Sequence, residues 1–148
     1  MKDGPSHLVR RALTSWRNSP LSESEKLPAV GILHDGEYAI WNRMQPRDQR
    51  HSLVVLSRLK ELLPGASRAE LAAALLHDIG KTRSDLGWSL RVVATVVGPR
   101  GRRFTDYHDH EAIGAELLVG TSDPETVALV GGTAQGPALE ALRAADSV

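Results

Sequence analysis

The chain reads as all-helical on three observations. No stretch alternates apolar and polar residues with the period of two that a half-buried strand needs, and the segments between breakers repeat at three and four. Helix starts are marked by capping boxes and first-turn prolines, and helix ends by Pro-Gly, Gly-Pro and Gly-Gly pairs. The one β-branched cluster, residues 92 to 97, lies inside an amphipathic helical pattern. A chain of 148 residues suits a single core, so one helical-bundle domain over residues 21 to 148 is expected, preceded by an N-terminal arm.

Taken in order, residues 1 to 20 mix basic residues with Pro5, Asn18 and Pro20, and allow a turn or two of helix around Leu8, Ala12, Leu13 and Trp16. Ser22 with Glu25 three residues later is a capping box, which predicts a helix toward Leu33 with Pro28 inside it. His34-Asp35-Gly36 reads as a surface turn rather than a metal pair, because glycine and polar residues surround it. A short helix from Glu37 to Met44 follows. Pro46 then opens a longer helix to about Leu63, stopped by Pro64-Gly65, with His51, Val55, Leu59 and Leu62 on one stripe.

Ser67 and Glu70 form a second capping box ahead of the run Leu71-Ala72-Ala73-Ala74-Leu75-Leu76-His77-Asp78-Ile79-Gly80-Lys81. So many strong helix formers with no polar face predict a helix buried on most sides and continuing to Lys81. It ends in an imidazole, a carboxylate and an ammonium. An unpaired carboxylate in a dry interior costs several kcal/mol, so Asp78 must be exposed, hydrogen-bonded or bound to a cation. With His77 beside it, a shared cation satisfies both, and Gly80 permits a tight exit.

Residues 84 to 97 read as an amphipathic helix ending at Gly98-Pro99, before a basic loop of Arg100, Arg102 and Arg103. Asp106 to Val119 is another helix, with His110, Ile113, Gly114 and Leu117 on one face. Asp123-Pro124 starts the next and Gly131-Gly132 closes it; the last begins at Pro137 and puts Leu139, Leu142 and Asp146 on one stripe.

Composition narrows the chemistry. Lys plus Arg and Asp plus Glu number 18 each, so no net basic field recruits nucleic acid or a membrane surface, and phosphate recognition has to be local. The absence of cysteine excludes disulfides, zinc fingers, iron–sulfur clusters and thiol catalysis. No apolar run approaches the ~20 residues that span a bilayer, and residues 1 to 16 lack an apolar signal core, so a cytoplasmic protein is expected.

His51, His77 with Asp78, His110 and Asp146 all interrupt apolar stripes. A lone inward histidine is usually a hydrogen-bonded core residue and a carboxylate beside a chain end is usually exposed, but agreement among these positions favours a metal centre between facing helices. The nitrogen and oxygen donors suit Mn, Fe, Co, Ni or Zn, with Mg possible through water and phosphate. The basic loop and the scattered Trp16, Trp41 and Trp88 are read as solvated and packed, respectively.

On these residues the chain resembles the HD-domain superfamily of metal-dependent phosphohydrolases, whose pattern is H…HD…D. His51 within Arg50-His51-Ser52, His77-Asp78 within Leu75-Leu76-His77-Asp78-Ile79-Gly80-Lys81, and Asp146 correspond to it. His110-Glu111-Ala112-Ile113-Gly114-Ala115 is similar to an H-E-x-x-G-A element of many members. The likeness covers about residues 40 to 148. It implies that His51, His77, Asp78 and Asp146 hold one divalent ion that activates water at neutral pH. It further implies catalytic roles for Asp78, Lys81 and His110 on a small phosphorylated substrate such as a nucleotide. Lys81 would neutralise phosphate oxygens, and Arg47, one turn before His51, is a candidate second clamp. His110 would act as general acid, hydrogen-bond the phosphate, or help bind a second ion through Asp78. Members with two or more ions carry further histidines near the place of Val130-Gly131-Gly132, and some a Gly-Tyr-Pro element; this chain has neither, so a mononuclear site is expected. His108 would point to another face than His110. Two readings from other classes are a non-catalytic module binding a nucleotide or partner protein, and a nuclease, the latter disfavoured by the zero net charge.

Overall fold

The computed structural model describes residues 17–81 and 106–147, with the side chains of 106–109 left aside. The expected helix over 84 to 97, the basic loop, Trp16, Trp88 and the side chain of His108 lie outside the described residues. What is described is all-α: α1 (Glu23–Ile32), α2 (Asp35–Trp41), α3 (Pro46–Leu62), α4 (Arg68–Leu76), a 3₁₀ turn (Ile79–Lys81), α5 (Asp106–Leu118), α6 (Pro124–Val130) and α7 (Pro137–Asp146). Among the described residues no helix is long and apolar enough to cross a membrane.

Local chemistry sets most starts. Ser22 and Ser67 each accept from the amide three residues on, while Glu25 and Glu70 reach back to the serine amides, so both capping boxes are complete. Proline occupies the first turn of α3, α6 and α7. The His34-Asp35-Gly36 expectation is corrected: these residues open α2. His34 is its N-cap residue, and the Glu37 carboxylate accepts from the His34 amide at 2.9 Å. Asp35 and Glu37 in the first turn suit the helix dipole, which outweighs the turn preference of glycine. The helix ends at Trp41 rather than Met44.

α4 is the hub, touching α1, α2, α3, α6 and α7. Ala72, Ala73, Ala74, Leu75 and Leu76 are all inaccessible to solvent. The alanines let neighbouring backbones approach, while each buried leucine contributes about 2 kcal/mol of apolar transfer. On α3, Val55 and Leu59 face this core with Leu56, whereas Leu62, expected inward, is 53 % exposed because it lies in the last turn before Pro64-Gly65. Trp41 is fully buried and its Nε1–H donates to Ser52 Oγ at 2.9 Å, tying α2 to α3.

A second departure concerns the end of α4. The α-helix stops at Leu76, His77 is its C-cap residue in right-handed helical conformation, and the chain tightens into the 3₁₀ turn. The reason is a distant neighbour. Gly80 packs so closely on α5 that a Cβ there would collide with the His110 carbonyl group, and it also nears the Gly114 amide. Gly80 therefore serves close approach, and the approach of α5 brings His110 beside the His77-Asp78 turn.

Buried charge adds a fastening. Glu37 is fully buried, and its Oε2 accepts from Arg68 Nη1 at 2.9 Å, while Arg68 Nη2 donates to Asp123 Oδ2 at 2.7 Å. One guanidinium thus joins the starts of α2, α4 and α6. Asp123 is held below the ordinary carboxylate pKa chiefly by that hydrogen bond, and so caps α6 by position without a side-chain bond to it.

Candidate metal centre

Three separate segments supply the polar cluster. His51 comes from the middle of α3, His77 and Asp78 from the turn after α4, and Asp146 from the last residue of α7. α3 packs on both α4 and α7, and this crossing sets the register of all four side chains. Among the described residues their ligand atoms lie within 4.8 Å of one another.

The distances suit an ion. His51 Nε2 is 2.9 Å from Asp146 Oδ1 and 3.9 Å from Asp78 Oδ2, and His77 Nε2 is 3.1 Å from Asp146 Oδ1 and 3.4 Å from Asp78 Oδ2. Ligands about 2.1 Å from a metal and subtending 90–110° lie roughly 3.0 to 3.5 Å apart, so this donor set is already near coordination spacing. The ring of His77 is also oriented for it. His77 Nδ1 is 2.7 Å from the Ala74 carbonyl, to which it donates, so Nε2 faces the cluster. That outer hydrogen bond is the kind that fixes the tautomer of a metal-ligating imidazole.

Without an ion, protons carry the positive charge. Burial disfavours a charged His77, but hydrogen bonds to Asp146 and Asp78 and the charge of Asp78 outweigh it and raise the imidazole to about 10. Asp146 is held far below the usual carboxylate range, first by the hydrogen bond from His77 and, against partial burial, by that from His51 and the charges of both rings. Burial pushes Asp78 up, yet His77 and Lys81 together pull it below its ordinary value. Lys81 Nζ sits 2.9 Å from Asp78 Oδ1. Burial works against its charge, and Asp78, with Asp146 and Asp48 farther off, holds it above the ordinary range.

Two hollows meet at the cluster. A small cavity of about 50 Å³ is lined by His77, Asp78, Lys81 and Asp146 on one side and by His110, Glu111 and Arg143 with Leu129, Val130, Leu139 and Leu142 on the other. A wider cleft of about 520 Å³ runs along the outer face of α3, where Arg47, His51, Lys81 and Asp78 line it. All seven residues singled out in the sequence therefore border one of the two. His51, His77, Asp78 and Asp146 form the cluster, Lys81 stands between the hollows, His110 borders the inner one and Arg47 the outer.

Other lining residues were not given site roles from the sequence, although Glu111 stands in the H-E-x-x-G-A element. Glu111 and Arg143 line the inner cavity, and a Cβ at Gly132, whose φ of 69° suits glycine, would meet both side chains. Arg17, Arg50 and Arg58 line the outer cleft. Only Arg58 had a local signal, seven residues after His51 on the same stripe. Leu129 and Val130 add an apolar side to the inner cavity. No family model, curated protein or solved structure matches the chain.

Proposed function

We propose that this chain is an HD-type metal-dependent phosphohydrolase acting on a small phosphate ester, most plainly a nucleotide or related metabolite. The observation that carries the reading is the convergence of His51, His77, Asp78 and Asp146 from three segments within 4.8 Å. Two imidazole nitrogens and two carboxylates fit Mn, Fe, Co, Ni or Zn, with Mg admissible, and the lack of a histidine after His110 favours one ion over two. When bound, the ion supplies Lewis-acid activation of water at neutral pH.

The chain's own groups do the rest. Lys81, anchored by Asp78 and open to the cleft, neutralises phosphate oxygens as charge builds on them, and Arg47 offers a forked guanidinium to substrate phosphate in the same cleft. Asp78 orients the attacking water. As the new oxygen–phosphorus bond forms, the water gives up one proton to solvent, the ester bond on the opposite side breaks, and its oxygen takes a proton from a general acid. His110, across the inner cavity from Asp78, is the imidazole suited to that role.

The test is phosphate release by the metal-loaded protein from a panel of mono-, di-, tri- and cyclic nucleotides. Turnover that requires the ion, and that falls roughly 100-fold in Lys81→Met, is the expected result. A panel left intact with every ion of the series overturns the reading.

A further inference from the structure

The outer cleft holds more positive charge than a single phosphate needs. Arg17, Arg47, Arg50, Arg58 and Lys81 line it, against Asp48 and Asp78, in a chain whose formal net charge is zero. Two of these cations are committed. Arg50 bonds Glu25 and the carbonyls of Arg17 and Ser19, and Lys81 bonds Asp78.

The others are placed to meet a ligand. Arg47 is 69 % exposed at its side chain and, among the described residues, has a 3.6 Å contact to Asp48. Arg58 donates one Nη1–H to the Ala145 carbonyl at 3.2 Å and lines the cleft. Arg47, His51, Val54 and Arg58 form one stripe of α3. At about 1.5 Å rise per residue, Arg47 lies roughly 6 Å before His51 along the axis and Arg58 roughly 10 Å after it. The candidate metal centre thus sits inside a cationic track that runs past it both ways. A cleft of about 520 Å³ falls in the size range of pockets for nucleotide-sized ligands.

Building on the phosphohydrolase reading, we propose that the substrate carries further phosphate groups besides the one cleaved, and that Arg47 on one side of the centre and Arg58 on the other bind them. The substrate class is a polyphosphorylated, nucleotide-sized molecule rather than a lone monoester. Arginine suits the task because its planar fork grips phosphate in a bidentate way and keeps its charge at any physiological pH.

The test is isothermal titration of the full chain, in chelator, with orthophosphate, pyrophosphate and tripolyphosphate. Tripolyphosphate is expected to bind at least ~10-fold tighter than orthophosphate, about one charge-assisted hydrogen bond's worth. Arg47→Gln and Arg58→Gln should each remove most of that advantage. Lys60→Gln, which deletes a cation from the exposed side of the same helix outside the cleft, should keep it. Equal binding of the three anions, no measurable binding of any, or equal losses in all three variants would overturn the proposal. Neither metal nor turnover enters this reading. Hydrolysis of monoesters without an anion gradient would therefore sink the second-phosphate site alone, and a gradient without hydrolysis would sink the enzyme alone.

Discussion

His77 and Asp146, 69 residues apart in the chain, meet through Nε2 and Oδ1 at 3.1 Å. The same carboxylate oxygen lies 2.9 Å from Nε2 of His51. Two imidazole nitrogens directed at one oxygen, with Asp78 alongside, need a positive charge among them. A proton on His77 can supply it, and so can a divalent ion, but both cannot use the same nitrogen lone pair.

Ion binding should therefore expel a proton. His77, raised to about 10, is protonated at pH 7.5 in the metal-free protein, so binding of Mn or Zn is expected to release about one proton per ion. Calorimetry in buffers of differing ionisation enthalpy measures this. Heats that do not vary with the buffer would remove His77 from the ligand set.

The metal-free protein should lose stability on the alkaline side. His77 has a pKa raised from 6.5 to about 10, so its contribution is fully present below about pH 6.5 and fades as pH rises through 10. Asp146, lowered, behaves oppositely: its contribution is present above the unfolded carboxylate value of about 3.9 and fades as pH falls. Thermal melts in chelator should show a plateau between roughly pH 4 and 6.5 and a decline toward pH 10, and His77→Gln should flatten that decline. An unchanged alkaline limb in the variant would contradict the assignment.

Gly80→Ala and Gly114→Ala should part company. At Gly80 the new Cβ meets the backbone carbonyl of His110, which cannot move without shifting α5, so a loss of about 2 to 3 kcal/mol is expected in urea unfolding. At Gly114 it meets Val130 Cγ1 at 3.0 Å and Ile79 Cγ1 at 3.4 Å, which are side-chain rather than backbone atoms. A helix-propensity gain of about 1 kcal/mol offsets that crowding. Equal losses at the two sites would show that close packing of the turn on α5 is not what Gly80 provides.

Arg68→Met should cost about 3 to 5 kcal/mol, because among the described residues it leaves the buried Glu37 carboxylate with the His34 amide as its one partner. Adding Glu37→Gln removes the stranded charge and should recover part of the loss. A cost below about 1 kcal/mol for the single variant would mean the pair behaves as a surface ion pair.

What was legible in the sequence is what local chemistry decides. Ser22 with Glu25, Ser67 with Glu70, Pro46 and Asp123-Pro124 each start a helix from contacts within one turn. His51, His77, Asp78 and Asp146 were legible because a polar residue on an apolar stripe demands a partner. The end of α4 was not, since it depends on α5 packing against Gly80 from 30 residues away. Nor was the start of α2, where the Glu37 carboxylate rather than the His34 side chain satisfies the first amide. Arg68 reaches Glu37 and Asp123 across 31 and 55 residues, and Arg17, Arg50 and Arg58 share a cleft only once α3 has docked. Such contacts leave no periodic signal.

Metal content tests the central claim most directly. The untagged protein, prepared without chelator, would be measured by elemental analysis beside Asp78→Ala, a variant whose lost carboxylate lies 3.4 Å from His77 and 3.9 Å from His51. The expected result is about one equivalent of Mn, Fe, Co, Ni or Zn in the wild type and little in the variant. Equal metal in both, or none in the wild type even after incubation with each ion of the series, would contradict a metal centre at this cluster.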